Sequence, residues 1–201
     1  MTNVILIHGA WHWAGCWEKV SPFLHEKQVN VFAPDLEVNK STTLTDHVNQ
    51  ILDLINQNAL KDVILVGHSY AGLVIAGVLS EVPNKIRHTI FLDAILPEKG
   101  IIPFRYYFSA ISVYLFWVFA AIFPLLKPLS QAEGFGITDV ETIKMVNDNL
   151  RKHPLKTMLQ VFKFTPQYHK EKCTYVRCTE IVAVGKKKGG KQKNHLEQFY
   201  L

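Results

Sequence analysis

Ser69 lies at the centre of a short motif suited to nucleophilic chemistry. The motif is a G-x-S-x-A string that follows an apolar run at residues 63–66 and opens a second apolar run at residues 70–82. A sharp strand-to-helix turn holds its central residue in a strained backbone conformation, and bulky residues two positions away would clash. Gly67 and Ala71 are the small residues that such a turn requires. We therefore predict that Ser69 is a nucleophile, with the amino end of the following helix beneath the reaction centre.

A second loop supplies candidate hydrogen-bond donors for the same reaction. His8 and Gly9 directly follow an apolar run at residues 4–7, and glycine lets the backbone approach another group closely. In a parallel sheet, this loop and the serine turn open at the same carboxyl edge, where ligands bind. The backbone N–H groups of Ala10 and Tyr70 are thus predicted to form an oxyanion hole.

Four strings of the sequence, at residues 5–12, 33–36, 63–69 and 91–94, resemble those of the α/β-hydrolases. The chain is most similar to the small plant-type methyl esterases and hydroxynitrile lyases and to their bacterial relatives. The resemblance implies a serine hydrolase that cleaves carboxylic esters of small or apolar substrates through an acyl-enzyme, without a metal or an organic cofactor. It also places Trp11 and His12 near the substrate pocket. A hydroxynitrile-lyase-like activity stays open, because it uses the same scaffold.

A serine nucleophile needs a base, and the base needs an orienting acid. The resemblance implies an acid after the strand predicted at residues 174–177 and a histidine after one further strand. Glu180 is the first candidate for the acid, and Asp93, at the end of the fourth predicted strand, is the second. His195 is the only histidine that follows residue 180, so it is the candidate base.

The C-terminal sequence departs from the pattern of the family. Residues 185–193 are rich in glycine and lysine and show no helical period. This departure predicts a truncated or frame-shifted C terminus that lacks the last strand and helix of the fold. It also supports an alternative function, a catalytically impaired or non-catalytic relative that keeps the pocket.

Strand-like and helix-like segments alternate along the chain and would position these residues. Short β-branched runs predict strands at residues 4–7, 29–33, 63–66, 89–92 and 174–177, and most of the segments between them show helical periodicity. This order is typical of an α/β fold with a parallel sheet and helices on both faces. We divide the chain into an N-terminal core, a helical cap insertion, a late core strand and a basic, disordered tail, at residues 1–100, 101–170, 171–184 and 185–201.

The cap insertion contains a run from Tyr106 to Leu126 without a formal charge. A continuous helix of that length would be about 30 Å long, enough to cross a bilayer core. Pro103, Pro124 and Pro128 favour shorter helices instead, and a membrane span would separate Ser69 from the last predicted strand. We expect an apolar cap over the site, suited to a small-molecule ester, and leave open a peripheral membrane contact.

Composition and charge limit the remaining function classes. The chain has 201 residues, of which 48% are hydrophobic and 19% are charged, as expected of one folded domain. Its formal net charge is +5, and the lysines of residues 186–193 supply most of it. The folded part is therefore not predicted to bind nucleic acid. The first predicted strand begins almost at Met1, which predicts a cytoplasmic protein, with membrane association left open.

Overall fold

The computed structural model describes residues 2–106, 109–169, 172–178 and 196–200. The strands are β1 (Asn3–Ile7), β2 (Asn30–Phe32), β3 (Val63–His68), β4 (Ile86–Leu92), β5 (Leu125–Leu126), β6 (His153–Pro154), β7 (Cys173–Cys178) and β8 (Leu196–Tyr200). The helices are α1 (Ser21–Glu26), α2 (Leu44–Gln57), α3 (Ala71–Glu81), α4 (Ala110–Ile122), α5 (Val140–Asn149) and α6 (Leu155–Leu159). Short 3-10 turns at Ala14–Trp17, Pro83–Lys85, Pro103–Tyr106 and Ala132–Phe135 complete the secondary structure of the described residues.

The central sheet has the strand order β2-β1-β3-β4-β7-β8. The first five of these strands run parallel, and β8 pairs antiparallel with β7. The five predicted strands are all present, and the predicted α/β class is confirmed. The carboxyl ends of β1, β3 and β4 lie side by side, which brings the loops that follow them to one edge of the sheet.

The residues from Val4 to Ile7 in β1 are apolar because both faces of the strand are covered. Ile5 and Ile7 of β1 belong to the main core, together with α2 and α3. Val4 and Leu6, which alternate with them, pack with Trp17 in a second cluster on the other face. Successive side chains of a strand point to opposite faces, so a run of four buried residues serves two cores at once.

The helices α2 and α3 cover the face of the sheet beneath the candidate site. Thr43 begins α2 with a capping box: its hydroxyl accepts a hydrogen bond from the Asp46 N–H, and the Asp46 carboxylate accepts one from the Thr43 N–H. The α3 residues from Ala71 to Leu79 are all buried. A helix that is apolar on every side is buried in the protein, which explains the absence of polar residues from this part of α3.

The segment predicted as a cap is broken into short elements. Ser109 begins α4, whose 13 residues end two positions before Pro124, a residue that cannot continue a helix. β5 then pairs with β6, and the Asp139 side chain caps α5 by accepting a hydrogen bond from the Thr142 N–H. Within the described ranges, the structure contains no helix that is long and apolar enough to cross a membrane.

The end of the chain differs from the predicted tail. The sequence indicated a disordered segment at residues 185–201, whereas the backbone of residues 196–200 forms β8 against β7. The prediction of a disordered tail was based on the charged residues 186–193. It did not consider that Leu196–Tyr200 could form a strand. The open edge of β7 offers N–H and C=O groups that such a segment can pair. Residues 179–195 lie outside the described residues.

Candidate active site

The turn between β3 and α3 has the strained geometry that the motif predicts. Ser69 has a φ of 54°, in the left-handed region that side chains rarely adopt. Its N–H donates a hydrogen bond to the Leu92 carbonyl at 3.3 Å, and its own carbonyl accepts hydrogen bonds from the N–H groups of Gly72 at 3.1 Å and Ile95 at 3.0 Å. These three bonds fix Ser69 between the ends of β4 and α3.

The small residues beside Ser69 are explained by close contacts. A Cβ atom on Gly67 would lie 2.9 Å from the Cβ of Ala71 and 2.6 Å from the Cδ1 of Ile75. Real Cβ atoms do not approach other atoms so closely, so the turn can close only with glycine at position 67.

The loop after β1 lies directly against this turn. A Cβ on Gly9 would lie 3.2 Å from both the Ser69 Cβ and the His68 carbonyl oxygen. The residue after Gly9 is Ala10, which is buried, and the residue after Ser69 is Tyr70, which is also buried. Tyr70 immediately precedes α3, where backbone N–H groups lack acceptors within the helix. The two predicted oxyanion donors thus belong to neighbouring loops in direct contact.

Trp11 adopts an unusual conformation that a distant segment holds in place. Its φ is 67°, and its carbonyl accepts a hydrogen bond from the Arg151 N–H at 2.7 Å. The Arg151 side chain forms an ion pair with Asp35 at 3.1 Å, and Asp35 also accepts a hydrogen bond from the Ala14 N–H at 2.6 Å. Asp35, three residues after the end of β2, thus braces the loop after β1. The loop after β2 and the segment before β6 therefore both anchor the loop beside Ser69.

The His12 side chain lies in a mainly aromatic environment. Its ring stacks on Trp13 with 6.3 Å between centroids, and it lies 5.9 Å from the Phe135 ring and 6.4 Å from the His68 ring. Burial lowers the pKa of the His12 imidazole to about 4, and the nearby imidazoles of His68 and His8 contribute to the shift. His12 is therefore uncharged at neutral pH, and this wall of the site is aromatic and neutral.

Of the three candidates for the acid and the base, the structure describes Asp93. Asp93 directly follows β4, has a φ of 43° and donates its N–H to the Val176 carbonyl at 2.7 Å. Its side chain is exposed, one residue beyond the Leu92 carbonyl that holds the Ser69 N–H. Glu180 and His195 lie outside the described residues, so their roles stay predictions. Ser69, Ala10, Tyr70, Trp11 and His12 are brought to one edge, with Asp93 on the adjacent loop.

Sequence reasoning missed a group of buried histidines beneath the site. His153, which the sequence pattern gives no reason to place in the core, is 4% exposed, and its ring lies 4.5 Å from the Tyr70 ring. The His47 ring lies 6.1 Å from the His153 ring and 5.7 Å from the Tyr70 ring. A signal for His47 was present, because it occupies the buried spacing of α2 with Leu44, Val48 and Ile51. His153 has no such periodic context.

The hydrogen bonds of the group define its protonation. His47 Nε2 lies 2.8 Å from the Glu37 carbonyl, which can only accept, so this nitrogen carries the hydrogen. His47 Nδ1 then accepts a hydrogen bond from the Tyr70 hydroxyl at 2.8 Å. His8 is arranged alike, with Nδ1 donating to the Gly9 carbonyl at 2.8 Å and Nε2 accepting from the Leu36 N–H at 3.0 Å. Burial lowers the pKa of His8, His47 and His153 and raises that of Tyr70.

Among the described residues, no group of three histidine, cysteine, aspartate or glutamate side chains could hold a metal ion. The strained Ser69 turn and the Gly9 loop that contacts it can support the chemistry of a serine hydroxyl beside backbone N–H donors. A parallel sheet with crossover helices and a strained serine turn defines a class of hydrolase-like proteins.

Comparison with known proteins identifies the class. A family described as "Alpha/beta hydrolase family" matches residues 4–169, and the chain belongs to this family. A carbendazim-hydrolysing esterase from Nocardioides is 38% identical over 108 residues, which cover 50% of this chain and 45% of that protein. Methylesterase 3 from Arabidopsis thaliana is 36% identical over 106 residues, which cover 48% of this chain and 40% of that protein. The chain thus spans less than half the length of these two relatives.

A solved structure shows the same fold over most of the chain. It is an extracellular α/β-hydrolase from Paenibacillus, described as sharing structural and functional homology with tobacco salicylic acid binding protein 2. It is 24% identical, covers 87% of this chain and 76% of its own, and superposes with a TM-score of 0.75. At this identity the likeness concerns the fold alone.

Proposed function

We propose that this protein hydrolyses carboxylic esters, with Ser69 as the nucleophile. The observation that carries the proposal is the left-handed φ of Ser69 in a turn that directly contacts the loop of Gly9. Backbone strain of this kind persists only where the surrounding structure enforces it, and it concentrates at functional sites. The names of the aligned relatives, an esterase and a methylesterase, support the same class of reaction.

The proposed reaction has two steps. The Ser69 oxygen attacks the carbonyl carbon of the ester while a base takes the hydroxyl proton, and the N–H groups of Ala10 and Tyr70 stabilise the oxyanion. The base returns the proton to the alcohol as the C–O bond breaks, which leaves an acyl-enzyme. Water then attacks the acyl-enzyme and releases the carboxylic acid. His195 stays the candidate base, with Glu180 or Asp93 as the acid that orients it.

The walls of the site support an uncharged substrate. Trp11 and His12 follow the proposed oxyanion donor, and His12 lies among Trp13 and Phe135. Such walls favour small or apolar acyl and alcohol groups, because a charged group would lose its hydration without gaining a partner. The proposed substrate class is therefore small or apolar esters.

The test is covalent labelling by a fluorophosphonate, which reacts with activated serines. We expect the wild type to be labelled and Ser69→Ala to lose essentially all of the label. Ser130→Ala is the matched control, because Ser130 lies in the cap segment, where its hydroxyl donates a hydrogen bond to the Gln131 carbonyl. Equal labelling of the wild type and Ser69→Ala would contradict the proposal. An unlabelled wild type would favour the non-catalytic alternative.

A further inference from the structure

The helix α4 exposes a continuous apolar face that the proposed chemistry does not use. Ile111, Tyr114, Leu115, Val118 and Ile122 are 55–75% exposed. Their spacing places them on one face of a helix. On the protein side of α4, Ala120 belongs to the main core and Phe116 packs against it. The helix is thus apolar on both sides, and the described residues of the chain cover one of them.

The apolar face continues beyond the end of α4. Phe119 and Phe123 stack with 4.6 Å between ring centroids and are 42% and 53% exposed. Leu129, a few residues further along the chain, is 75% exposed. An exposed apolar helix face of this kind marks a site of interaction with a protein or a membrane.

The charges around this face favour one kind of partner. Helix α4 packs against α6 and against the turn Pro103–Tyr106, and β5 pairs with β6. The two segments that contain these elements, residues 99–132 and 151–169, carry seven lysine and arginine residues, of which Arg151 pairs with Asp35. They carry no aspartate or glutamate, and Glu98 and Glu133 directly flank the first segment. Lys127 and Lys156 are exposed. The acidic residues between the two segments lie on and around α5, which packs with Trp13 in a separate cluster.

We propose that the outward face of α4 docks on an anionic lipid surface. The helix has 13 residues and is about 20 Å long, so it lies along the surface rather than across a bilayer core of about 30 Å. The apolar side chains enter the boundary between headgroups and acyl chains, and Lys127 and Lys156 bind lipid phosphates. A protein partner with an acidic rim and a second copy of this chain are the competing occupants.

Vesicle flotation tests the proposal with the full chain. We expect binding to vesicles of phosphatidylglycerol and phosphatidylcholine, and binding to pure phosphatidylcholine that is weaker by about tenfold or more. The triple variant Leu115→Glu, Val118→Glu, Ile122→Glu should lose binding by about tenfold or more, because three apolar contacts become charges. Val140→Glu is the matched control, because Val140 is 79% exposed on α5 and outside the α4 face.

Three further measurements separate the proposal from its competitors. Lys127→Glu, Lys156→Glu should weaken binding to anionic vesicles and leave binding to neutral vesicles unchanged. Ser69→Ala should bind as the wild type does, so loss of ester hydrolysis and loss of docking are distinguishable. Sedimentation without lipid should show a monomer. A dimer that the triple variant disperses, or equal vesicle binding by the wild type and the triple variant, would overturn the proposal.

Discussion

Ser69 combines the proposed chemistry with a local energetic cost. For a residue with a Cβ atom, the left-handed conformation costs about 1–2 kcal/mol relative to the right-handed one. Its φ of 54° is held by the hydrogen bonds to Leu92, Gly72 and Ile95. The packing of α3 and β4 offsets the free-energy cost of this strain.

Ser69→Gly should therefore stabilise the protein relative to Ser69→Ala. Glycine adopts a positive φ without a steric cost, although it gains entropy in the unfolded chain. Alanine also removes the hydroxyl but keeps the Cβ in the strained conformation. We expect the free energy of unfolding of Ser69→Gly to exceed that of Ser69→Ala by about 1 kcal/mol, measured by urea unfolding. Equal stabilities would mean that the turn is not strained.

The residues predicted most accurately from sequence are those whose constraint is local. Gly67 and Ala71 were recognisable because the clashes at Gly67, with Ala71 and Ile75, lie four and eight residues along the chain. The burial of His153 was not, because it depends on contacts with Tyr70 and Trp11, which are distant in sequence. The acid and base candidates Glu180 and His195 came from a resemblance alone, and they stay predictions because they lie outside the described residues.

The junction between α3 and the loop after β4 is the closest packing around the serine turn. A Cβ on Gly72 would lie 2.1 Å from the Ile95 carbonyl oxygen and 2.9 Å from the Ile95 nitrogen. Both atoms belong to the backbone, and the same Ile95 N–H donates to the Ser69 carbonyl. The two backbone segments cannot move apart without breaking that hydrogen bond.

Gly72→Ala should accordingly be far more harmful than Gly77→Ala on the same helix. A Cβ on Gly77 would meet the Val48 Cγ2 at 2.4 Å, and a side chain can rotate or shift where a backbone cannot. Each substitution gains about 1 kcal/mol of helix propensity. We expect Gly72→Ala to lower the free energy of unfolding by about 2 kcal/mol or more, and Gly77→Ala by clearly less. Thermal and urea unfolding would compare them, and equal losses would contradict the argument.

The elements predicted well are those with a clear period. The central strands β1 and β3 are runs of mostly buried residues, and α2 carries both an apolar stripe and a capping sequence. The two-residue strands β5 and β6 were missed, because two residues have no period and pair only through contacts distant in sequence. The broken cap helices were predicted from proline, whose ring ends a helix whatever surrounds it.

On the scale of the whole molecule, buried neutral histidines join several elements. His8 follows β1, His47 lies in α2 and His153 begins β6, and burial lowers the pKa of all three. Tyr70, at the start of α3, donates to His47 and contacts the His153 ring. The sheet, a covering helix and the cap segment thus share one group of histidines that folding keeps in the uncharged form.

This arrangement predicts a loss of stability in mild acid. An unfolded histidine has a pKa of about 6.5, so below that pH the unfolded chain binds protons that the folded chain excludes. The contribution of these histidines to the free energy of unfolding is complete above about pH 6.5. This contribution falls as the pH drops toward the lowered pKa values of the folded protein, by up to about 1.4 kcal/mol per pH unit for each histidine.

His47→Gln cannot be protonated but keeps a donor and an acceptor, so the free energy of unfolding of this variant should fall less steeply between pH 6.5 and 4.5. His153→Gln should behave alike, and His25→Gln, at an exposed position on α1, should follow the wild type. Urea unfolding across this pH range measures the slopes, and identical slopes for His47→Gln, His153→Gln and the wild type would show that these histidines do not control acid stability.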